Sequence, residues 1–158
     1  MRGHWLCKTE PDVYSIDDLE RDGTTGWEGV RNYQARNFMR DGMKPGDRVL
    51  VYHSNAEPAG VAGIAEVHGP PRADPTQFDP KSGYHDPGST REEPRWILRD
   101  LRFVRRLPRT VTLEELRAEP ALRAMAALRK GNRLSVTPVT AEEFEAVVRL
   151  AGPARRPR

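Results

Sequence analysis

Aromatic rings, side-chain amides and arginines are concentrated in one stretch of eleven residues, Trp27–Asn37, which reads Trp-Glu-Gly-Val-Arg-Asn-Tyr-Gln-Ala-Arg-Asn. A helix that serves only for packing rarely combines these residue types. An indole can stack on a planar ligand, amides can bond its polar edge, and arginine can hold a phosphate through two parallel hydrogen bonds. A nucleobase on its phosphate backbone is such a ligand. The stretch therefore predicts part of a nucleic-acid site.

Trp27 and Asn32 each have two possible roles in this stretch. Trp27 precedes a predicted helix, where its ring is expected either to stack on a base, which contributes roughly 1–3 kcal/mol, or to cover the core. Asn32 stands at the helix start, and its amide oxygen can either cap the helix or bond a base edge. Tyr33 is predicted to contact the base, while Arg31 and Arg36 are predicted to hold flanking phosphates.

Three shorter polar segments are each adjacent to a predicted strand, and strand ends are natural places for ligand contacts. The segments contribute, in chain order, Lys8 and Thr9, Ser54 and Asn55, and Arg133 and Ser135. Hydroxyl and amide groups among them can donate to or accept from a base edge, and the two cations can hold phosphates. For Arg133 the alternative is a surface arginine beside a turn.

His53 is a candidate catalytic base because an imidazole titrates near neutral pH. Neighbouring strand residues point to opposite faces, so the adjacent Ser54 is poorly placed as its partner, and a structural histidine is favoured. The four histidines and the single cysteine, Cys7, show no metal-ligand spacing. We therefore predict no catalytic residue, no metal and no cofactor.

Helix starts and strands can be placed from capping residues and from β-branched runs. Paired caps predict helices that begin after Ser15 (with Asp18), Thr112 (with Glu115) and Thr140 (with Glu143). Further helices are predicted at residues 33–39, after the Asn32 cap, and at residues 121–128. Strands are predicted at residues 6–8, 48–53, 61–67, 96–107 and 134–139.

Residues 69–93 are rich in Pro, Gly, Asp and Ser and are predicted to form a long loop. Its Tyr84, His85 and Asp86 could reach a site, although an ordered surface loop is the simpler interpretation. Short strands and helices alternate irregularly along the chain. This pattern predicts an α+β fold in which a small mixed sheet is curled into a β-barrel surrounded by short helices, and the mouth of such a barrel can hold a small ligand.

Composition and charge set wider bounds. The chain has 158 residues, 37% of them hydrophobic, and is expected to form one domain over residues 1–152, followed by a basic disordered tail at residues 153–158. The net charge of +3, with arginine as the main cation, permits nucleic-acid binding without requiring it. No apolar run approaches the ~18 residues of a membrane span, and no signal peptide is apparent. We expect a cytoplasmic monomer.

The stretch Trp27–Asn37, together with residues 4–11, 52–55 and 133–136, resembles the EVE domain family, and the resemblance covers nearly the whole chain. That family has a PUA-like fold, which implies the same β-barrel with helices around it. It is related to the YTH readers, which hold methylated adenine in an aromatic cage, and the matching aromatic here is Trp27. Trp5 lies in a predicted strand, where core packing is its default role, but it can also line the pocket.

The resemblance implies a protein that binds modified nucleobases in DNA or RNA without catalysis and takes a flipped or single-stranded base into the pocket. A methyl or hydroxymethyl group would add roughly 1–3 kcal/mol of discrimination. We expect any effector to be a separate protein, because no catalytic domain is recognised in this chain. Two alternatives stay open: a PUA-like ribonuclease that uses Lys8, Tyr52 or His53, and a protein-interaction adaptor.

Overall fold

Alternating apolar side chains explain the strands of this protein, whose computed structural model describes residues 2–153. In the first strand, Trp5 and Cys7 join one core and Leu6 joins the other, which is the two-residue alternation of a strand buried on both faces. The strands are β1 (His4–Thr9), β2 (Thr24–Gly26), β3 (Arg48–His53), β4 (Gly60–Ala73), β5 (Ile97–Thr112) and β6 (Val136–Val139). The α-helices in the described residues are α1 (Ile16–Asp22), α2 (Tyr33–Asn37), α3 (Leu113–Ala118) and α4 (Ala141–Ala151).

The strands form one mixed sheet in the order β2-β5-β4-β3-β1-β6. β1 lies parallel to β3, and the other neighbouring pairs are antiparallel. The α+β class is confirmed, but the sheet is open rather than closed into the predicted barrel. Within residues 2–153, β2 pairs with β5 alone and β6 with β1 alone. β2 has three residues and β6 has four, and strands this short offer few hydrogen bonds with which to join the two ends.

The sheet carries a hydrophobic core on each face. One core contains Val49 of β3 together with Leu19 of α1. The other contains Leu50 of the same strand together with Leu116 of α3 and Val147 of α4. Burying a side chain of this size contributes about 1.5–3 kcal/mol. Because both faces of the sheet are covered, a polar ligand can reach the sheet most easily where strands end.

Local capping signals predicted the helix starts correctly. Ser15, Thr112 and Thr140 each form a capping box with the acidic residue three positions further on. The Asn32 side chain accepts a hydrogen bond from the Ala35 N–H at 3.1 Å, so its amide oxygen caps α2. Each such cap contributes about 1 kcal/mol to the stability of its helix.

Two predicted helices differ in the structure. The helix expected at residues 33–39 ends earlier, as α2, and continues as a π-helical turn at Phe38–Gly42. Residues 121–128 form two separate 3-10 turns, Pro120–Leu122 and Ala126–Leu128, in place of one α-helix. Backbone N–H groups in this segment donate to the carbonyl three residues earlier, as in a 3-10 turn, rather than four residues earlier, as in an α-helix.

The loop predicted at residues 69–93 begins later than expected. β4 continues to Ala73, and a 3-10 turn follows at Pro75–Phe78. Gln77 in that turn donates its side-chain amide to Asp74 O at 2.7 Å and to Trp96 O at 2.8 Å, which joins the two ends of the segment.

Within the described residues no helix has the length and apolarity needed to cross a membrane. The basic tail predicted at residues 153–158 lies, from residue 154 onward, outside the described residues.

Candidate nucleic-acid interface

The parallel pairing of β1 with β3 brings the carboxyl ends of both strands to the same edge of the sheet. Ser54, directly after β3, donates its backbone N–H to Thr9 O at 2.9 Å, and the Lys8 N–H donates to Ser135 O at 2.8 Å. Main-chain hydrogen bonds therefore hold together three polar segments that are far apart in the sequence. These are the segments from which ligand contacts were predicted.

A cavity of about 670 Å³ opens at this edge, within the range of about 300–1,000 Å³ that small-ligand sites occupy. We call it the Trp27 cavity. Its lining includes six of the predicted site residues: Trp27, Thr9, Ser54, Ser135, Lys8 and Arg133. The site therefore lies at an open sheet edge, beside strand ends, rather than at the mouth of a barrel.

Trp27 is held firmly in the cavity wall. Its backbone N–H donates to Arg99 O at 2.9 Å. The Trp27 and Tyr14 rings pack edge to face, with 6.3 Å between their centroids and 84° between their planes. Trp27 is 7% exposed as a whole residue, so most of it packs in the core while it still lines the cavity. A ring fixed in this way loses little side-chain entropy when a flat ligand binds against it.

The hydroxyls of Thr9, Ser54 and Ser135 are among the groups that line the Trp27 cavity. Thr9 Oγ1 donates to Tyr14 O at 2.8 Å and keeps its lone pairs free to accept a hydrogen bond from a ligand. The hydroxyls of Ser54 and Ser135 form no hydrogen bond with another of the described residues, so each can both donate and accept. This set suits a ligand edge that carries donors and acceptors side by side, as a nucleobase does.

Lys8 and Arg133 supply positive charge to the cavity. Neither forms an ion pair with another residue in the described part of the chain, so both charges are open to an anionic ligand. Burial lowers the pKa of Lys8, and its Nζ lies 5.8 Å from the centre of the Tyr52 ring. Arg72 also lines the cavity, but its guanidinium is bound to Asp100 through hydrogen bonds of 2.9 and 3.1 Å.

Arg31 and Arg36, predicted as phosphate contacts, are bound to the protein itself. Arg31 donates to Asp74 Oδ2 at 3.1 Å and twice to Tyr84 O, at 2.7 and 3.0 Å. Arg36 donates to Arg95 O at 2.8 Å. Both guanidinium groups fasten the long loop before β5 to the segment around α2. Neither residue is part of the lining of the Trp27 cavity.

Tyr33 and Asn32 also lie outside the lining of the cavity. The Tyr33 ring stacks on the Trp96 ring, with 4.8 Å between centroids and 21° between planes. Asn32 caps α2, as described above. Tyr33 therefore packs against the end of the loop that follows β4, and Asn32 stabilises α2; neither lines the cavity.

Asn55 and Trp5 complete the predicted set, and neither is part of the lining. Asn55 has a left-handed backbone, with φ of 49°, and its side-chain amide donates to Glu10 Oε1 at 2.6 Å. Trp5 is buried in the core and donates its Nε1–H to Asp47 Oδ2 at 2.9 Å. Core packing, the default for a strand tryptophan, is the role in which the structure places Trp5.

Asp74 is a scaffold residue of the site that the sequence did not indicate. Its carboxylate is fully buried and accepts from the Gly29 N–H at 2.8 Å, from the Thr76 hydroxyl at 2.6 Å and from Arg31. Burial alone would raise the pKa of Asp74, but the hydrogen bonds from Thr76, Gly29 and Arg31 outweigh it and hold that pKa below its usual range. The charged carboxylate thus anchors the backbone two residues after Trp27.

Glu28 and Tyr84 line the cavity although neither was assigned to it from the sequence. Glu28 belongs to the stretch Trp27–Asn37, but a lone glutamate there does not by itself indicate a ligand contact. Tyr84 lies so close to Gly29 that a Cβ on that glycine would be 2.7 Å from the phenol ring. Gly29 has φ of +84°. A glycine, which has no side chain and tolerates this backbone conformation, is the one feature of the sequence that permits Tyr84 to approach so closely.

His53 has a structural role. Its Nε2 accepts a hydrogen bond from the backbone N–H of Ile16 at 3.1 Å, which ties β3 to the start of α1. Burial lowers the pKa of His53, in keeping with a neutral ring that accepts at this nitrogen. His53 is not part of the lining of the Trp27 cavity.

Comparison with known proteins gives relatives over almost the full chain. Thymocyte nuclear protein 1 from chicken is 40% identical over 167 aligned residues, which cover 93% of this chain and 68% of that protein. The human protein of the same name is 38% identical, with coverage of 95% and 74%.

Solved structures show the same fold. A hypothetical protein from Leishmania major superimposes with a TM-score of 0.92 at 45% identity, covering 96% of this chain and 95% of that one. Human THYN1, solved in complex with DNA containing 5-methylcytosine, superimposes with a TM-score of 0.89 at 38% identity, covering 97% and 99%. The family model named EVE domain matches residues 3–150. The resemblance inferred from the sequence is thereby confirmed, and this chain belongs to the EVE domain family.

Proposed function

We propose that this protein binds DNA containing a modified base and takes that base into the Trp27 cavity. The observation that carries the proposal is the cavity itself, where an indole, several hydroxyls and the cations Lys8 and Arg133 converge. Support comes from human THYN1, whose structure is a complex with DNA containing 5-methylcytosine and whose fold matches this one over nearly the whole of both chains.

In this proposal the base stacks on Trp27, with Tyr84 as a second aromatic ring at the cavity. Taking a base out of its stack costs a few kcal/mol, and stacking on an aromatic side chain returns roughly 1–3 kcal/mol. Hydrogen bonds between the base edge and the hydroxyls of Ser54, Ser135 and Thr9, of which Thr9 can only accept, add about 0.5–1.5 kcal/mol each. Since the cost is smallest for an unpaired base, we expect tighter binding where the modified base is single-stranded or mispaired.

Lys8 and Arg133 hold phosphates on either side of the base. Phosphate contacts position the strand but carry no sequence information, so the preference for a modified base must come from the cavity. A methyl group that fits an apolar surface contributes roughly 1–3 kcal/mol. That is enough for a preference of about ten- to hundredfold over the unmodified base.

Fluorescence anisotropy with short labelled oligonucleotides tests the proposal. DNA and RNA versions carry, at one position, cytosine, 5-methylcytosine, 5-hydroxymethylcytosine, adenine or N6-methyladenine. Trp27→Leu removes the stacking ring but keeps an apolar side chain. Trp5→Leu is the matched control, since Trp5 is 8% exposed against 7% for Trp27 and does not line the cavity. We expect at least tenfold tighter binding to one modified base in DNA, lost in Trp27→Leu and kept in Trp5→Leu.

A second readout needs no variant and keeps the test valid if Trp27→Leu melts early. The base analogue 2-aminopurine, placed beside the modified base in a duplex, brightens when its neighbour leaves the stack. Brightening on addition of the wild-type protein supports entry of the base into the cavity. Equal affinity for all oligonucleotides, steeply reduced by salt, with no brightening, would reduce the protein to a backbone binder and overturn the proposal. Preference for an RNA oligonucleotide would overturn the assignment to DNA.

A further inference from the structure

Glu28 is a carboxylate in the Trp27 cavity without a partner. The cavity has two acidic residues in its lining, Glu10 and Glu28. Glu10 accepts a hydrogen bond from Asn55 at 2.6 Å. Glu28 forms neither a hydrogen bond nor an ion pair with any other residue in the part of the chain that the structure describes. It is therefore the acidic acceptor that remains available to a ligand beside Trp27.

The surroundings of Glu28 do not neutralise it. Desolvation, followed by the charge of Asp74, raises the pKa of Glu28. The cations that act on it are Arg31 and Arg72, and both are engaged elsewhere, Arg31 with Asp74 and Arg72 with Asp100. Glu28 is exposed, so its carboxylate can be reached by a ligand that brings a hydrogen-bond donor to it.

We propose that Glu28 accepts a hydrogen bond from the exocyclic 4-amino group of a cytosine held against Trp27, and thereby makes the cavity selective for cytosine over thymine. This inference rests on the proposed function. Acidic side chains read cytosine through its N4 amino group. At the same ring position thymine has a carbonyl oxygen, so a carboxylate facing it would set two acceptors against each other.

The inference explains a discrimination that a methyl-binding surface cannot make alone. 5-Methylcytosine and thymine carry the same methyl group on the same ring and differ in the amino or carbonyl group at position 4 and in the hydrogen that thymine carries on N3. Aromatic stacking is tolerant of base identity, and the serine hydroxyls can donate to one base as readily as they accept from the other. Unlike a hydroxyl, the charged carboxylate of Glu28 can only accept a hydrogen bond.

The test compares wild-type protein with Glu28→Gln on single-stranded DNA carrying 5-methylcytosine, cytosine, thymine or adenine at one position. Single strands exclude differences in base pairing. The glutamine keeps the size of the side chain, loses its charge and gains an N–H₂ group that can donate to the thymine carbonyl. Glu10→Gln is the matched control, because Glu10 lines the same cavity but is bonded to Asn55. Thermal melts confirm that both variants fold.

We expect wild-type protein and Glu10→Gln to bind 5-methylcytosine at least tenfold more tightly than thymine. In Glu28→Gln the ratio should fall to about one or reverse, because the loss of a hydrogen bond to a charged group and the gain of a donor act in the same direction. A ratio that is unchanged in Glu28→Gln overturns the inference. Tighter wild-type binding to adenine than to either cytosine overturns the choice of base.

The same data separate this inference from the proposed function. If 5-methylcytosine binding depends on Trp27 but the ratio to thymine does not depend on Glu28, the proposed function stands and the inference fails. If both cytosines bind equally well and thymine is excluded through Glu28, the inference stands and the preference for a modified base fails. No binding to any oligonucleotide overturns both.

Discussion

The Arg31 guanidinium and the buried Asp74 carboxylate meet at 3.1 Å although the two residues are 43 positions apart in the chain. The same carboxylate oxygen accepts the Gly29 N–H at 2.8 Å. Arg31 also donates to the carbonyl of Tyr84. One ion pair therefore connects the segment after Trp27 to the loop that brings Tyr84 to the cavity.

We predict that Asp74→Ala lowers the free energy of unfolding by about 3 kcal/mol, because it leaves the partly buried Arg31 charge without its partner. The Gly29 N–H would also lose its acceptor. Urea unfolding followed by tryptophan fluorescence measures the change. Arg21→Ala breaks two ion pairs, with Asp18 and Asp22, whose shared arginine side chain is 67% exposed, and its unfolding midpoint should stay close to that of the wild type. Similar midpoints for the two variants would contradict the scaffold role of Asp74.

Gly29→Ala and Gly23→Ala form a matched pair that isolates the contact with Tyr84. Both glycines have a positive φ, +84° and +78°, so both alanines strain the backbone by about 1 kcal/mol. Only at Gly29 does the new Cβ meet another group, the Tyr84 ring at 2.7 Å, whereas at Gly23 nothing lies within 4 Å. We expect Gly29→Ala to be the less stable of the two and to weaken DNA binding by displacing Tyr84. Equal melting temperatures and equal DNA affinities for the two variants would show that the contact with Tyr84 affects neither stability nor DNA binding.

Arg133→Ala should weaken DNA binding about equally for all sequences, because a phosphate contact does not read bases. We expect the slope of log K against log salt concentration to become shallower by about 1. Anisotropy titrations at several salt concentrations measure the slope, with Arg21→Ala as a control arginine that does not line the cavity. An unchanged slope together with a changed preference among bases would instead make Arg133 a base contact.

Acid should destabilise this protein partly through Glu115. Hydrogen bonds from the Arg109 guanidinium, at 2.6 Å, are the main cause that lowers the pKa of Glu115 to about 2 from its ordinary value of 4.5. A carboxyl whose pKa is lower in the folded state stabilises the fold above pH 4.5, and this contribution is lost as the pH falls from about 4.5 to about 2. Melting temperatures across this range should fall less steeply for Glu115→Gln than for the wild type. Glu114→Gln, one position earlier on α3, should keep the wild-type profile, and an equally steep fall in Glu115→Gln would rule out this source of acid sensitivity.

The parts of the fold that were predictable from the sequence depend on residues close together in the chain. A capping box such as Thr112 with Glu115 spans three residues, so its signal is complete within one turn of helix. Likewise, Ser54 and Thr9 were recognisable because each stands where a strand ends. Their meeting in one cavity, however, requires β1 to lie parallel to β3, and a crossover of this kind has no local signature.

The parts that were not predictable depend on distant partners. Arg31 looked like a free phosphate ligand because Asp74, which binds it, lies outside any local window. Glu28 gave no signal for the opposite reason, since its significance is that the fold supplies no partner for it. Whether the sheet closes into a barrel could not be predicted from neighbouring residues either, because it depends on whether β2 and β6, at the two edges of the sheet, can pair.

The position of β1 in the sheet has a consequence for how the protein is made. β1 is translated before the other strands of the sheet, yet it lies between β3 and β6, and His4 pairs with Val139. Until the chain has been translated through β6, one side of β1 has no strand beside it, and a row of unpaired N–H and C=O groups attracts other chains. We therefore expect a translation product that stops before Val136 to aggregate rather than to accumulate as a shortened soluble domain.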